Sequence, residues 1–451
     1  MRTSAFKLLI SFGLLMVGCG GDDSTTDQPS EGSWSAPVEL IRVPPLEGLG
    51  NGLQVARPTV AVDAQGNGLV VWEEVAVARG FGFPQALGFS SFTPARGWSA
   101  PARFYTSTSP ANGTISFDPR VVAVGNGSFV VAWQSGAHVL AARFDAATSF
   151  GPTQDLGPGG GPALAVNGSS SVIAAWHGSF DGETETNGIL VSRLGGDGFS
   201  APVRIDAPRP IDNRPEDPSV VLDAAGDATV VFGRSLDLVA VRLRAGQTIG
   251  DPETLLADHT RVNVVREAPA AGVDAAGRVV ALWRQADGSG SAVQSLWGSR
   301  FVPGQGWSAP GPVDDGTASV SGYDLSVTAS GDAFAAWSLD PAGDVRANRF
   351  TGGTWVPSVS LLLDAGGQSA AGAVGPPTLG VDAAGNAWAF VALAGSLLEN
   401  RFAQGHWLGA ATVQGTGQPQ IAVASSGEAI VVLAPTDSRS VSAIRFVRSG
   451  N

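Results

Sequence analysis

The sequence predicts an all-β protein, an eight-bladed β-propeller built from four-stranded antiparallel blades. Eight times along the 451-residue chain, a short apolar segment opens at an anchor residue, and a hydrophobic partner follows fourteen positions later. Successive anchors are 42 to 61 residues apart. Repeats of roughly this length are typical of propellers and solenoids. The chain is rich in glycine (61) and proline (29), and only 15% of its residues are charged. This composition suits many short strands joined by tight turns.

Each repeat begins with a predicted hairpin of strands A and B. Apolar residues two and four positions after the anchor indicate a strand. An Asp-x-x-Gly turn such as Asp63 to Gly66 follows, where Asp can accept hydrogen bonds from backbone amides and Gly can adopt a positive φ. Strand B then runs into the hydrophobic partner. The anchors are Pro58, Pro119, Pro162, Pro218, Pro269, Tyr323, Pro377 and Pro419, and the partners are Trp72, Trp133, Trp176, Phe232, Trp283, Trp337, Val391 and Leu433.

A predicted strand C ends in Arg-Phe or a similar pair, and strand D opens six or seven residues later at a Trp-Ser-Ala-Pro-like segment. Because the arginine recurs in seven of the eight units, we expect it to be structural, stacking on a strand tryptophan or pairing with a carboxylate. We likewise expect the tryptophans to form blade cores. The strand C positions are Ser91, Arg143, Arg193, Arg242, Arg300, Arg349, Arg401 and Arg445.

The two ends of the chain predict how the ring closes. The last unit stops soon after Arg445 and lacks a strand D, whereas a segment of strand D type, Trp34 to Leu40, precedes the first anchor. A ring whose last blade is completed by the N-terminal strand explains both facts and leaves no open sheet edge. A linear solenoid would offer no reason for the displaced strand.

Loop lengths point to one face of this ring as the functional face. The A–B and C–D connections are nearly constant, while the B–C and D–A connections vary, and varied loops on a regular scaffold often carry binding residues. The longest are 75–83, 105–117, 177–187, 206–216 and 257–267. Residues beside these loops should ring the channel mouth, either as a ligand-binding rim or as solvated loop residues. They are Arg57, Glu73, Glu74, Asp118, Gln134, His177, Asp217, Arg234, Arg284 and Tyr323.

The N-terminal segment does not belong to the repeats and indicates a targeting signal. Arg2 and Lys7 precede the apolar run 8–17, which is too short to span a bilayer and indicates a signal peptide. The only cysteine follows in Leu15-Met16-Val17-Gly18-Cys19. This resembles the lipobox of bacterial lipoproteins; an ordinary secretory signal is the alternative. The resemblance implies a signal peptide (1–18), a lipidated Cys19 on a flexible tether (19–32), a propeller domain (33–451) and attachment to the outer membrane.

Charge and side-chain chemistry narrow the range of ligands and cofactors that we expect. Removing residues 1–18 would leave 25 basic against 40 acidic residues, a net charge of −15. Such a chain should be repelled by nucleic acid and anionic lipid head groups. The four histidines show no metal-ligand spacing, and we expect neither a metal nor another cofactor. We expect a monomer.

Two further families share parts of the pattern. The Asp-x-x-Gly turns superficially resemble the Asp boxes of sialidase-like propellers, although those boxes lie in the C–D turn. The architecture is similar to eight-bladed lipoprotein propellers that scaffold outer-membrane barrel assembly, although their repeat motif is absent. The leading hypothesis is a non-enzymatic, membrane-anchored propeller that binds an envelope protein or glycan. The alternatives are a glycan-processing hydrolase or lyase, and a barrel-assembly scaffold.

Overall fold

The computed structural model describes residues 32–45, 52–78, 81–107, 117–178, 188–206, 217–234, 237–246, 249–256, 269–286, 293–341, 343–370, 375–393, 395–435 and 437–448. These residues form eight separate antiparallel sheets. The predicted eight-bladed propeller is therefore confirmed. Among the described residues, no helix is long and apolar enough to cross a membrane. Residues 1–31, with Cys19, lie outside the described part of the chain.

The first four blades follow one another along the chain. Blade 1 contains β3 (Gly52–Val62), β4 (Gly68–Ala78), β5 (Phe81–Thr93), β6 (Gly97–Trp98) and β7 (Ala102–Thr106). Blade 2 contains β8 (Arg120–Gly125), β9 (Ser128–Ser135), β10 (His138–Asp145), β11 (Ser149–Phe150) and β12 (Gln154–Pro158). Blade 3 contains β13 (Gly160–Val166), β14 (Val172–Gly178), β15 (Gly188–Gly195), β16 (Gly198–Phe199) and β17 (Val203–Arg204). Blade 4 contains β18 (Ser219–Leu222), β19 (Ala228–Arg234), β20 (Asp237–Leu243) and β21 (Glu253–Leu256).

The remaining blades repeat this order, and the last one takes two strands from the N-terminus. Blade 5 contains β22 (Ala270–Val273), β23 (Val279–Ala286), β24 (Gln294–Val302), β25 (Gly306–Trp307) and β26 (Gly311–Pro312). Blade 6 contains β27 (Ser319–Val327), β28 (Ala333–Asp340), β29 (Val345–Thr351), β30 (Thr354–Trp355) and β31 (Val359–Ser360). Blade 7 contains β32 (Thr378–Val381), β33 (Ala387–Leu393), β34 (Ser396–Ala403), β35 (His406–Trp407) and β36 (Ala411–Val413). Blade 8 contains β37 (Gln418–Val423), β38 (Ala429–Ala434), β39 (Ser440–Arg448), β1 (Gly32–Trp34) and β2 (Val38–Arg42).

The fourteen-residue interval is the register of the A–B hairpin. Tyr323 lies directly opposite Trp337, and Pro419 lies opposite Leu433. In the turn of blade 1, the Asp63 carboxylate accepts hydrogen bonds from the amides of Gln65 (3.0 Å) and Asn67 (2.9 Å). Gly66 has a φ of 78°. The predicted turn chemistry is thus confirmed.

Each blade buries both of its faces against its neighbours. On β14, Trp176 packs against blade 2 residues such as Val130, whereas Ile173 packs against blade 4 residues such as Phe232. The strand B tryptophans at positions 72, 133, 176, 283 and 337 are completely buried. The expectation that they form blade cores is confirmed. Because alternate side chains of one strand serve two interfaces, strand B is apolar throughout.

In blades 4 to 8, the strand C arginines join each blade to the next one. Arg445 lies over the ring of Phe92 at 3.7 Å, Arg242 over Phe301 at 4.0 Å and Arg349 over Phe402 at 4.9 Å. Arg349 also pairs with Asp332 at 2.6 Å. The structural role expected of these arginines is confirmed, although the aromatic partner is usually the strand C phenylalanine of the following blade.

Strand D departs from the expectation of one continuous strand. In seven blades it is broken into two short segments that both pair with strand C. In blade 1 the break contains Ser99 and Pro101, and proline has no N–H to donate. Ser99 Oγ instead accepts a hydrogen bond from the Ser91 amide at 3.0 Å. The Trp-Ser-Ala-Pro segment is therefore a bulge that interrupts the outermost strand.

The N-terminal strand closes the ring as predicted. β1 pairs antiparallel with β39, with Trp34 opposite Phe446, and the Arg445 amide donates to Ser35 Oγ at 3.1 Å. The Trp34 ring packs edge-on against Phe390 of blade 7, with the ring centroids 5.0 Å apart. The innermost strands contact one another around the circle in the order β3, β8, β13, β18, β22, β27, β32, β37 and back to β3.

Trp34→Ala should weaken this closure. The substitution removes aromatic contacts to Phe390 and Phe446, and we expect the free energy of unfolding to fall by about 3 kcal/mol. Val38→Ala is the control, since Val38 lies in the same closing segment but is 42% exposed, and it should change stability by less than about 0.5 kcal/mol. Urea unfolding followed by tryptophan fluorescence measures both; equal stabilities of the two variants would contradict the closing role of Trp34.

Candidate functional site

A group of polar side chains lies where the innermost strands begin, on the face that carries the variable connections. Four neighbouring blades contribute to this group, blade 2 with two side chains and blades 1, 3 and 4 with one each. We call Glu73, Asp118, Arg120, His177 and Asp217 the mouth cluster. Glu73 ends the apolar part of β4, Asp118 and Asp217 precede innermost strands, Arg120 begins β8, and His177 lies near the end of β14.

Polar contacts run through the mouth cluster from blade 1 to blade 4. Glu73 Oε1 accepts the Asp118 amide at 2.7 Å. Arg120 donates from Nη2 to Asp118 Oδ2 at 2.9 Å and from Nε to the Pro162 carbonyl at 3.3 Å. His177 Nδ1 lies 3.0 Å from Asp217 Oδ1. Three of these links join neighbouring blades, whereas the Arg120–Asp118 pair lies within blade 2, so the relative position of the blades fixes the spacing of the charges.

In the His177–Asp217 pair, the proton of the hydrogen bond is carried by the histidine ring. His177 hydrogen-bonds to Asp217 and, together with the charge of Arg120, holds the pKa of the Asp217 carboxyl below its ordinary value despite its burial. An ionised carboxylate only accepts hydrogen bonds, so His177 donates from Nδ1. Its Nε2 is then the ring atom that can accept or donate a proton toward a ligand.

Three consecutive glycines make room for this arrangement. A Cβ on Gly159 would overlap the His177 carbonyl, one on Gly160 would overlap the Gln134 amide, and one on Gly161 would overlap the Asp217 carboxylate. Gly161 also has a φ of 59°, which L side chains rarely adopt. The glycine run therefore lets side chains from two neighbouring blades lie against the backbone of β13.

A cavity of about 320 Å³ adjoins the cluster. It lies among blades 8, 1 and 2 and is lined by the polar side chains of Arg57, Thr59, Asp118, Arg120, Gln418 and Gln420. Arg57 has a φ of 48°, at the bulge where β3 passes into its anchor proline. The walls thus offer two guanidinium groups, a carboxylate and two amides, which donate and accept hydrogen bonds.

The predicted rim residues fall into two groups. Glu73, Gln134, His177 and Arg284 occupy equivalent positions directly after the strand B partner, and each contacts the following blade. Arg284 donates to the Val320 carbonyl at 2.9 Å. The structure brings Glu73, Asp118, His177 and Asp217 together, while Arg284 lies on blade 5, beyond them.

Three other predicted positions are directed elsewhere. Glu74 is buried and paired with Arg103 of the outer strand β7 at 2.7 Å. Arg234 pairs with Asp206 at the end of the blade 3 sheet at 3.2 Å. Tyr323 packs in the core between blades 5 and 6. These three side chains are engaged away from the mouth cluster.

The variable loops are described only in part. The described residues of the segment 75–83 extend the hairpin, because β4 continues to Ala78 and β5 begins at Phe81. Residues 108–116, 179–187, 207–216 and 257–268 lie outside the described part of the chain.

Sequence reasoning missed Arg120, Gln420 and Asp324. All three directly follow an anchor, where the other blades carry Thr, Ala or Ser, and this departure from the repeat was the available signal. Asp324 joins blades 6 and 7, since it accepts the Leu379 amide at 2.8 Å. Burial raises the pKa of Asp324 to about 6, and the hydrogen bonds from backbone amides oppose part of this shift. The described residues contain no group of three or more potential metal ligands.

The comparisons with known proteins concern only the fold. No family model matches the chain, and no curated protein matches it. A solved ulvan lyase of family PL25, bound to -[GlcA(1-4)Rha3S]-, is 12% identical, covers 90% of this chain and 95% of its own, and has a TM-score of 0.47. An α-L-arabinanase from Penicillium chrysogenum, complexed with arabinobiose, is 10% identical, with coverages of 92% and 98% and a TM-score of 0.43.

A third similar structure is a mutant of AofleA from Arthrobotrys oligospora. It is 12% identical, covers 73% of this chain and 89% of its own, and has a TM-score of 0.38. With TM-scores below 0.5, none of these likenesses bears on the function of this chain.

Gly161→Ala should disrupt the His177–Asp217 pair. The new methyl group would occupy the position of the Asp217 carboxylate and would also strain the backbone, at a cost of about 1–3 kcal/mol in unfolding free energy. Gly168→Ala in the turn of the same blade is the matched control, because no atom lies within 4 Å of the added Cβ. Thermal and urea unfolding measure both variants. Equal stability of the two would show that the glycine run is not required for the packing around Asp217.

Proposed function

We propose that this chain is a binding protein of the cell envelope, which recognises a polar ligand at the mouth cluster and the adjoining cavity. The observation that carries the proposal is the chain of contacts from Glu73 through Asp118 and Arg120, beside a polar cavity of about 320 Å³. The ligand class is a glycan segment or a peptide segment of a protein, since both present hydroxyl, amide or charged groups.

The mouth cluster suits binding because its polar groups are held in place before a ligand arrives. Glu73 is 2% exposed and fixed by the Asp118 amide, whereas the side chains of Arg120 and Asp217 are 48% and 46% exposed. The buried partner thus orients groups that reach solvent. Groups that are already oriented lose less conformational entropy on binding.

A second candidate function is glycan processing by a hydrolase or lyase. The His177–Asp217 hydrogen bond at 3.0 Å favours it, because a histidine oriented through Nδ1 can act as a general base or acid through Nε2. The neighbouring Arg120 could hold an acidic group of the substrate. We favour binding without turnover over glycan processing. The cavity is lined mainly by guanidinium and amide groups, which form hydrogen bonds to a ligand, and not by a pair of opposed acids.

Arg120→Gln combined with His177→Gln should weaken recognition at the mouth cluster. The double variant removes one charge and the His177–Asp217 hydrogen bond, and we expect at least a tenfold weaker binding. The measurements are a printed glycan array and photo-crosslinking to envelope fractions. Arg42→Gln is the control, since Arg42 is an exposed arginine of the closing strand that pairs with its near neighbour Glu39.

The same preparations separate binding from turnover. If every captured glycan or protein were retained by the double variant, or the wild-type chain captured none, the binding proposal would be wrong. Release of new reducing or unsaturated sugar ends by the wild type, lost in His177→Gln, would establish the enzymatic candidate. Captured glycan that is recovered uncleaved would contradict it.

We also propose that a lipid on Cys19 holds the protein on the outer membrane. The lipobox-like sequence around Cys19 supports this, and each buried acyl CH₂ contributes about 0.8 kcal/mol, so two or three chains suffice for stable anchoring. Cys19→Ser should move the protein from the membrane fraction to the soluble fraction, and globomycin should cause the precursor to accumulate. Unchanged membrane retention of Cys19→Ser would contradict the anchor.

A further inference from the structure

A second group of polar side chains lies on the flank of the ring, between blades 7 and 8. It is separate from the mouth cluster, which belongs to blades 1 to 4. Blades 7 and 8 enclose a cleft of about 590 Å³ between strand C of blade 7 and the N-terminal segment that completes blade 8. We call it the flank cleft. Its polar side chains include Glu399 and Arg401, and its apolar wall includes Trp34, Val413 and Phe446. Its volume is that of an ordinary small-molecule site, which is about 300–1,000 Å³.

Glu399 is the residue that breaks the repeat. It stands two positions before the strand C arginine, where all seven other blades carry glycine or an apolar residue. Those residues are Phe89, Ala141, Val191, Ala240, Gly298, Ala347 and Ala443. Seven blades thus form without an acid at this position, so the blade fold does not require Glu399.

The acid is also costly where it lies. Burial raises the pKa of the Glu399 carboxyl, and the nearby Trp34 indole and Arg401 charge oppose only part of that shift. An acid that the fold does not need, held in a costly position on the wall of a cleft, is typical of a functional site.

Arg401 is fixed by the same stacking that joins each of blades 4 to 8 to the following blade. Its guanidinium lies 5.1 Å from the Trp388 ring centroid and 5.4 Å from that of Phe446. The packing holds the planar group in one orientation on the cleft wall. The cleft between blades 6 and 7 has the equivalent arginine, Arg349, but Ala347 in place of the acid.

We propose that the flank cleft binds a neutral pyranose sugar unit through Glu399 and Arg401. The acid and the arginine carry opposite charges, so the pair favours a neutral ligand over a phosphate, sulfate or uronate. A sugar hydroxyl both donates and accepts, and it can donate to Glu399 while accepting from Arg401. The C–H face of the ring would pack on the apolar wall formed by Trp34 and Val413. This site is separate from the mouth cluster and does not depend on the function proposed for it.

Glu399→Ala is the decisive variant, because it installs the residue that four other blades carry at the same position. We expect the variant to fold, to be at least as stable as the wild type at pH 7.5, and to lose sugar binding at least tenfold. A purely structural role for Glu399 predicts the opposite change in stability. Glu399→Gln, which keeps the shape and removes the charge, should weaken binding by an intermediate factor.

The probes are a printed array of neutral mono- and disaccharides, followed by calorimetric titration with the methyl glycoside of the sugar that binds. Glu253→Gln is the control, since Glu253 is an exposed acid of the outer strand of blade 4. The double variant Arg120→Gln, His177→Gln should leave this binding unchanged, which separates the flank cleft from the mouth cluster. No sugar bound by the wild type, or undiminished binding and reduced stability in Glu399→Ala, would overturn the proposal.

Discussion

The burial of both faces of every blade is the constraint on which the rest of the structure depends. A sheet that is apolar on two sides is stable only when both sides are covered. On β14, Trp176 faces one neighbouring blade and Ile173 faces the other, and this division recurs around the ring. Eight such blades can satisfy one another only if the circle closes. Closure in turn requires the last blade to be complete, so the pairing of β1 with β39 supports the whole ring and not blade 8 alone.

The same constraint determines where polar chemistry can be placed. Side chains within the apolar interfaces cannot change without opening a gap, but the residue directly after the strand B partner lies at the edge of the interface. Glu73, His177 and Arg284 all occupy this position and all contact the following blade. They join neighbouring blades and lie on the face that carries the variable connections. A ligand at the mouth cluster would therefore contact four blades whose relative positions are set by the packing beneath it.

The sequence predicted the scaffold because the scaffold is repetitive. The constant interval between Pro419 and Leu433, and between Tyr323 and Trp337, reflects the hairpin register. In the structure the two residues of each pair lie directly opposite one another. The break in strand D was missed because the Ser-Ala-Pro segment was interpreted only as a strand start, although Pro101 lacks the donor that a continuous ladder needs.

The site was less accessible to sequence reasoning, since loop length shows which face varies and not where a side chain points. Glu74 follows Glu73 in the sequence, yet it pairs with Arg103 on the outer strand while Glu73 contacts blade 2. Adjacent residues of a strand point to opposite faces, so the two acids belong to different surroundings. Arg120 and Glu399 were detectable in principle, because each is polar or charged where most equivalent positions are small or apolar. In a repeat protein such departures mark function more sharply than the shared residues do, because the other blades already show that the fold is satisfied without them.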